Sequence, residues 1–161
     1  MVENRIPRRA VTATLAFAGA MLVAPHANAM LGGTIASIAL DARALGAVAT
    51  VVRPGGAAPF AVHELRRDGL LLRESVNGEG LVFAVRWQGT ADPDLARLLG
   101  EYRADYEVAR RRDLALEGHD RRRVVVGARV VVLRGGHLPS VFGQAHVPAL
   151  VPAGVRPDAL G

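Results

Sequence analysis

The chain has no cysteine and no lysine. The first absence removes disulfides, a thiol nucleophile, iron–sulfur clusters and Cys-type zinc sites. The second removes Schiff-base chemistry, Ser–Lys pairs and the lysine of a P-loop. Serine is nearly as scarce: Ser37, Ser75 and Ser140 are the only three, and none sits in a GxSxG elbow. Aromatic residues make up 4% of the chain, so each ring invites an explanation. Trp87, Tyr102 and Tyr106 could form a stacking surface for a sugar or a base. The tyrosines recur at one-turn spacing on an apolar stripe, however, which favours core packing. What remains for chemistry is a handful of acids and, past residue 30, His63, His119, His137 and His146. No cofactor is expected from such a set.

What is present begins with a leader. Arg5, Arg8 and Arg9 precede an apolar run of 15 residues, Ala10 to Ala24, which Pro25 breaks. Ala27 and Ala29 supply the small-x-small pattern of signal-peptidase cleavage before Met30. The run is short of the roughly 20 residues a spanning helix needs. Arg8-Arg9 suggests twin-arginine export, but the Ala-Val-Thr that follows departs from that pathway's context. Residues 1–29 are therefore expected to be a signal peptide, and 30–161 a single exported domain, periplasmic or secreted. No later segment is long and apolar enough to span a membrane. An exported domain without disulfides must rely on its apolar core.

The formal charge is +5. Three of the 20 basic residues and one of the 15 acids lie in the leader, which leaves an ordinary +3. Nucleic-acid binding needs a concentrated basic face and is not expected. The candidates are Arg110–Arg112 and Arg121–Arg123, around a stretch holding Asp113, Glu117 and Asp120. This pattern reads as a charged, solvated loop over about 110–123, or else as a patch for anionic lipid or polysaccharide.

Ile35, Ile38, Ala42 and Leu45 fit a short helix closed by Gly46, and Val48–Val52 fits a short strand. Phe60–Arg67 and Leu70–Val76 flank Asp68-Gly69, a two-residue hairpin signal. Asn77–Gly80 then turns the chain into Leu81–Gln88. A four-residue turn there would pair Glu74 with Phe83 and Leu72 with Val85, with Trp87 on the same face. Asp92 as N-cap, Pro93 at the first helical position and Asp94 near the positive end predict a helix over 94–112. Its stripe of Leu95, Leu98, Leu99, Tyr102 and Tyr106 would seat on the Trp87 face. Gly100 in mid-helix suggests a close backbone approach, and Arg97–Glu101 and Arg103–Glu107 would pair on the wet side.

Val124–Arg134 is predicted as one strand, turned by Gly135-Gly136 into His137–Val147. Pro139 places that last strand at an edge or a bulge. Met30–Gly33 reads as a flexible terminus and 148–161 as a Pro-rich surface tail. The fold class is α+β: an antiparallel sheet of about five strands, in two hairpins, packed on one main helix.

The Asp68-Gly69 turn sets a register in which His63 opposes Glu74 and, on the other face, Glu64 opposes Arg73. A His–Glu pair in partly apolar surroundings suits acid/base or ligand-contacting work. It equally suits a structural ion pair in a small core. His137 and His146 are nine residues apart on what would be an extended strand, which separates them by about 30 Å and argues against a shared metal. Gly135-Gly136-His137 could offer backbone amides to an anion, or be a plain turn. The candidate contact residues are thus His63, Glu74, His137 and Trp87, with no assigned catalytic residue.

Several stretches carry a resemblance: "LGGT" after the cleavage site, "VHE" at Val62–Glu64, "LRES" at Leu72–Ser75 and "VFAVRWQG" at Val82–Gly89. Further matches are "PDLARLLGEY" at Pro93–Tyr102, "GGH" at Gly135–His137 and "FGQAHVPALVPAGV" at Phe142–Val155. Through them nearly all of 30–161 resembles a family of small exported bacterial proteins grouped as a domain of unknown function. Ser75 departs from an aromatic in that pattern, and the charged loop is peculiar to this chain. The resemblance implies export and one α+β domain, and implies no activity. The leading expectation is a non-catalytic binding or interaction module of the cell envelope, its partner an unknown envelope protein or ligand. The alternatives are a small envelope enzyme using His63 and Glu74, and an anion-binding surface protein using the arginine clusters.

Overall fold

A computed structural model describes residues 31–53, 59–116, 123–157 and 160. In chain order its elements begin with helix α1 (Ile35–Leu45) and strands β1 (Val48–Arg53), β2 (Phe60–Arg67), β3 (Leu70–Asn77) and β4 (Val82–Gly89). Helix α2 (Leu95–Leu99), a 3-10 turn (Gly100–Tyr102) and helix α3 (Arg103–Leu116) follow. Strands β5 (Arg123–Val126), β6 (Val131–His137) and β7 (Ser140–His146) and a 3-10 turn at Pro148–Leu150 complete the chain. The α+β class holds. The sheet is antiparallel throughout, with seven strands rather than about five, in the order β1-β2-β3-β4-β7-β6-β5. No helix among the described residues is long and apolar enough to cross a membrane.

The sheet grows from Asp68-Gly69. That turn fixes Arg67 opposite Leu70, Leu65 opposite Leu72 and His63 opposite Glu74, the register its two-residue loop predicts. The next turn behaves differently. The Asn77 side chain accepts from Glu79 N and Leu81 N, and a bulge follows at Ser75/Val76, so Glu74 faces Val85 and Leu72 faces Trp87. The expected partner, Phe83, is turned to the opposite face, because a bulge shifts side-chain alternation by one residue. There it meets Phe60 edge-on at 5.6 Å.

One face of the sheet is covered by both helical segments. Ile38 and Ala42 of α1, with Leu98, Leu99, Tyr102, Tyr106 and Ala109, pack on Leu65, Leu72, Val85, Trp87, Val132 and Ala145. Burying each large apolar side chain contributes about 1.5–3 kcal/mol, so this layer holds the fold together. Trp87 lies over Gly143, where an added Cβ would stand 2.1 Å from the indole Cζ2; only glycine fits. The helix cap lies two residues later than expected. Asp94, not Asp92, is the N-cap, its carboxylate accepting from Ala96 N at 2.9 Å and Arg97 N at 3.3 Å. Asp92 instead receives Trp87 Nε1 at 3.3 Å and pairs with Arg134. Gly100 meets nothing at close range; it breaks the helix because its φ is +50°. Glu101 pairs outside the helix, with Arg129, and Glu107 pairs within it but with Arg110 rather than the expected Arg103.

Other expectations are also corrected. The Val124–Arg134 run is two strands, because Gly127 N closes a tight turn onto the Val130 carbonyl at 2.8 Å. Gly135 and Gly136 sit inside the β6–β7 ladder, and the turn is Leu138-Pro139. Pro139 therefore spares the ladder, and β7 runs through the middle of the sheet rather than along an edge. Arg110–Arg112 are helical, on α3. The terminus expected to be flexible is fixed from Leu31 on: Leu31 is buried, and Gly32 and Gly33 exchange backbone bonds with Val82. The Pro-rich tail lies on the sheet and packs there. Leu160, Val151 and Val155 cover Phe60, Val62, Phe83 and Ala84 on the helix-free face, apolar surface that would otherwise stay wet.

Candidate functional site

The expected His63–Glu74 pair lies under the helical layer. The two residues are cross-strand neighbours, and Glu74 is 1% exposed. A third group that the sequence reading left out joins them: Asp41 of α1, fully buried. Asp41 comes three residues after Ile38 and one before Ala42, so the helical stripe itself carries it inward. Burial, with the Asp41 charge second, pushes the Glu74 carboxyl up to about 8, while burial lowers His63 below its ordinary range. Near neutral pH both side chains are therefore uncharged, and no ion pair joins them. His63 Nε2 and Glu74 Oε2 are each buried without a hydrogen-bond partner. Such a protonated carboxyl beside a neutral imidazole can donate and accept protons, but it lies within the packed layer.

The opposite face is built differently. Register places one row of side chains across it: Glu64, Arg73, Arg86, Gln144, Leu133 and Val124, one each from β2, β3, β4, β7, β6 and β5. Polarity falls along this row from ionic to aliphatic. A groove of about 500 Å³ follows it from Arg73 to Val124, flanked by Leu71 and Phe142 on one side and by Val131 and His146 on the other. The volume lies within the range of small-ligand pockets, which are largely apolar with a few convergent polar groups. Burial lowers the His146 pKa, so its imidazole enters the groove neutral. The C-terminal tail forms part of the wall: Gln144 Nε2 donates to the Pro157 carbonyl at 2.7 Å, and Arg86 donates to that of Leu160.

At the polar end, Glu64 is buried and accepts from Arg66 at 2.6 Å and Arg73 at 2.8 Å. The Arg73 hydrogen bond foremost, with that from Arg66, outweighs burial and holds the Glu64 carboxyl below its usual range. Alternation along β4 puts Arg86 and Gln88 on this face, but alternation alone does not reveal the groove. It needs β7 beside β4, a pairing no local signal announces.

Of the remaining candidates, Trp87 is 2% exposed and packs in the core, and it is also among the residues lining the groove. His137 is exposed at the end of β6, opposite Ser140, whereas His146 opposes Val131 at the far end of the same hairpin. Among the described residues no group of three or more acids and histidines could hold a metal. Ala27, Ala29 and Met30, together with Glu117–Arg122, lie outside the described residues. No curated protein and no solved structure matches the chain. Residues 27–160, nearly the whole sequence, match the profile of the family described as "Protein of unknown function (DUF2844)", and the chain belongs to that family.

Proposed function

We propose that the domain is a non-catalytic binding module of the bacterial cell envelope, exported by its leader, with its ligand held in the groove on the helix-free face of the sheet. The carrying observation is that groove: an apolar concavity of about 500 Å³ with Arg73, Arg86 and Gln144 gathered at one end. Its fluorescence with Nile red, a neutral apolar dye, tests the reading. The dye is expected to brighten on the native protein and to lose that signal in Leu133→Glu, whose melting temperature should stay near that of the parent. Undiminished fluorescence in Leu133→Glu would remove the groove as the site.

A second reading is a small envelope enzyme using His63 and Glu74. The unpartnered His63 Nε2 and Glu74 Oε2 favour it, and the burial of Glu74 counts against it. For the arginine clusters as an anion-binding surface, the described residues offer less: Arg110 is already engaged by Glu107 at 3.6 Å.

A further inference from the structure

We propose that the groove takes a single-chain anionic amphiphile, an alkyl carboxylate whose head sits on Arg86 and Arg73 and whose chain runs over Leu133 toward β5. This inference rests on the groove being the ligand site, and goes beyond it to the chemistry of the ligand.

Charge carries the first half of the argument. Arg73 and Arg86 are direct cross-strand partners, an arrangement that costs stability when like charges are left uncompensated. Glu64 is the one carboxylate beside them among the described residues, and both its oxygens are taken, one by Arg66 and one by Arg73. Among the described residues Arg86 meets only a neutral acceptor, the carbonyl of Leu160. Among the described residues three guanidinium groups thus share one carboxylate, and their surplus positive charge stands at the mouth of an apolar trough. A guanidinium has five donors and favours planar, bidentate partners. Arg73 uses Nε on Glu64 and Arg86 uses Nη1 on Leu160, so each keeps donors for an incoming carboxylate. Gln144, next in the row, can add a neutral donor once it releases the Pro157 carbonyl.

Shape carries the second half. From Arg86 the row crosses β7 and β6 to Val124 on β5, three strand spacings or roughly 14 Å. Over that distance the side chains are Gln144, Leu133 and Val124, with the half-open ring of Phe142 beside them. No acid lies among the described residues lining this stretch. A ligand charged at both ends would leave one charge on aliphatic carbon, and a wholly apolar one would leave the arginines unanswered. One head and one chain satisfy both ends. The concavity, rather than a flat basic face, favours a free monomer over a membrane surface.

The test displaces Nile red from the full exported domain with decanoate, decanol and decyltrimethylammonium, and with shorter alkanoates. Decanoate is expected to compete at least about tenfold better than decanol, the value of one charge-assisted hydrogen bond, and the cation worst. Affinity should fall about fourfold for each methylene removed. Arg86→Gln, which keeps a donor for Leu160, should cost decanoate about tenfold and leave decanol unchanged; Arg73→Gln provides the same comparison if Arg86→Gln fails to fold. Equal competition by the three heads in the native protein would overturn the anionic assignment while leaving the groove as a site. Dye binding insensitive to Leu133→Glu would overturn both. Co-sedimentation with phosphatidylglycerol vesicles, in place of decanoate competition, would replace the monomer by a membrane surface and overturn the proposal as well.

Discussion

Glu64 and Glu74 stand on neighbouring strands, nearly equally buried, and the sheet treats them in opposite ways. Glu64 looks out on the helix-free face, where two arginines reach it and keep it ionised. Glu74 lies beneath α1, where apolar packing and Asp41 keep it protonated. The difference is one of supply. A face roofed by helices excludes the long cationic side chains that could compensate a charge, so the proton does so instead. An open face lets guanidiniums reach over from the rim with their stems on apolar surface and their heads near water. One layer of the molecule therefore carries the cohesive core and the other carries cationic donors that reach solvent, which is why the proposed ligand site lies on the second.

The largest expected effect breaks the comparison at its strongest point. Trp87→Ala should cost about 3–5 kcal/mol in urea unfolding, whereas Phe142→Ala on the open face should change stability by less than about 1 kcal/mol while dimming Nile red. Comparable losses from the two would mean that the open face is structural after all. Next comes the acid under the helix. Because Glu74 holds its proton in the folded state up to about pH 8, against an ordinary value of 4.5, the native form binds one proton more than the unfolded chain between those limits. Its contribution is complete below the lower limit and is lost as pH rises, at up to about 1.4 kcal/mol per pH unit. Glu74→Gln should flatten this slope and make the protein more stable than the parent at the alkaline end; denaturant midpoints across the window decide it. The smallest effect has the opposite sign. Glu64, its carboxyl held low, adds stability above its unfolded value that is lost on acidification. Glu64→Gln should therefore weaken the protein at neutral pH by about 1–2 kcal/mol, a modest figure because both guanidiniums reach solvent. An unchanged neutral midpoint would show that the pairing carries no net stability.

How much of this was legible in the sequence depended on distance along the chain. The α1 stripe with its Gly46 terminus, the β2–β3 register and the seating of Leu98 and Tyr102 near Trp87 all rest on neighbours or on periodicity. The bulge at Ser75/Val76 was hidden because Asn77–Gly80 can close with more than one strand alignment. Asp41 was on the stripe but was passed over, since an acid at a helical position is ordinarily solvated. The groove was the least legible feature. Arg73 and Arg86 come from one hairpin and Leu133 and Gln144 from another far along the chain, and only the insertion of β7 between β4 and β6 makes them one row.

That insertion also orders events in time. β1 to β4 form one meander and β5 to β7 another, each joined to its sequence neighbours, and a single ladder, from Ala84–His146 to Gly89–Val141, unites them. Closing such a remote ladder carries the chain-entropy cost that slows nonlocal topologies, so it is expected to be the slow step of assembly. When the two halves zip together, the indole gains its glycine seat and the arginines gain their aliphatic neighbours at the same moment. Until then the groove proposed as the ligand site does not exist, and a half-made chain would have nothing with which to capture a ligand.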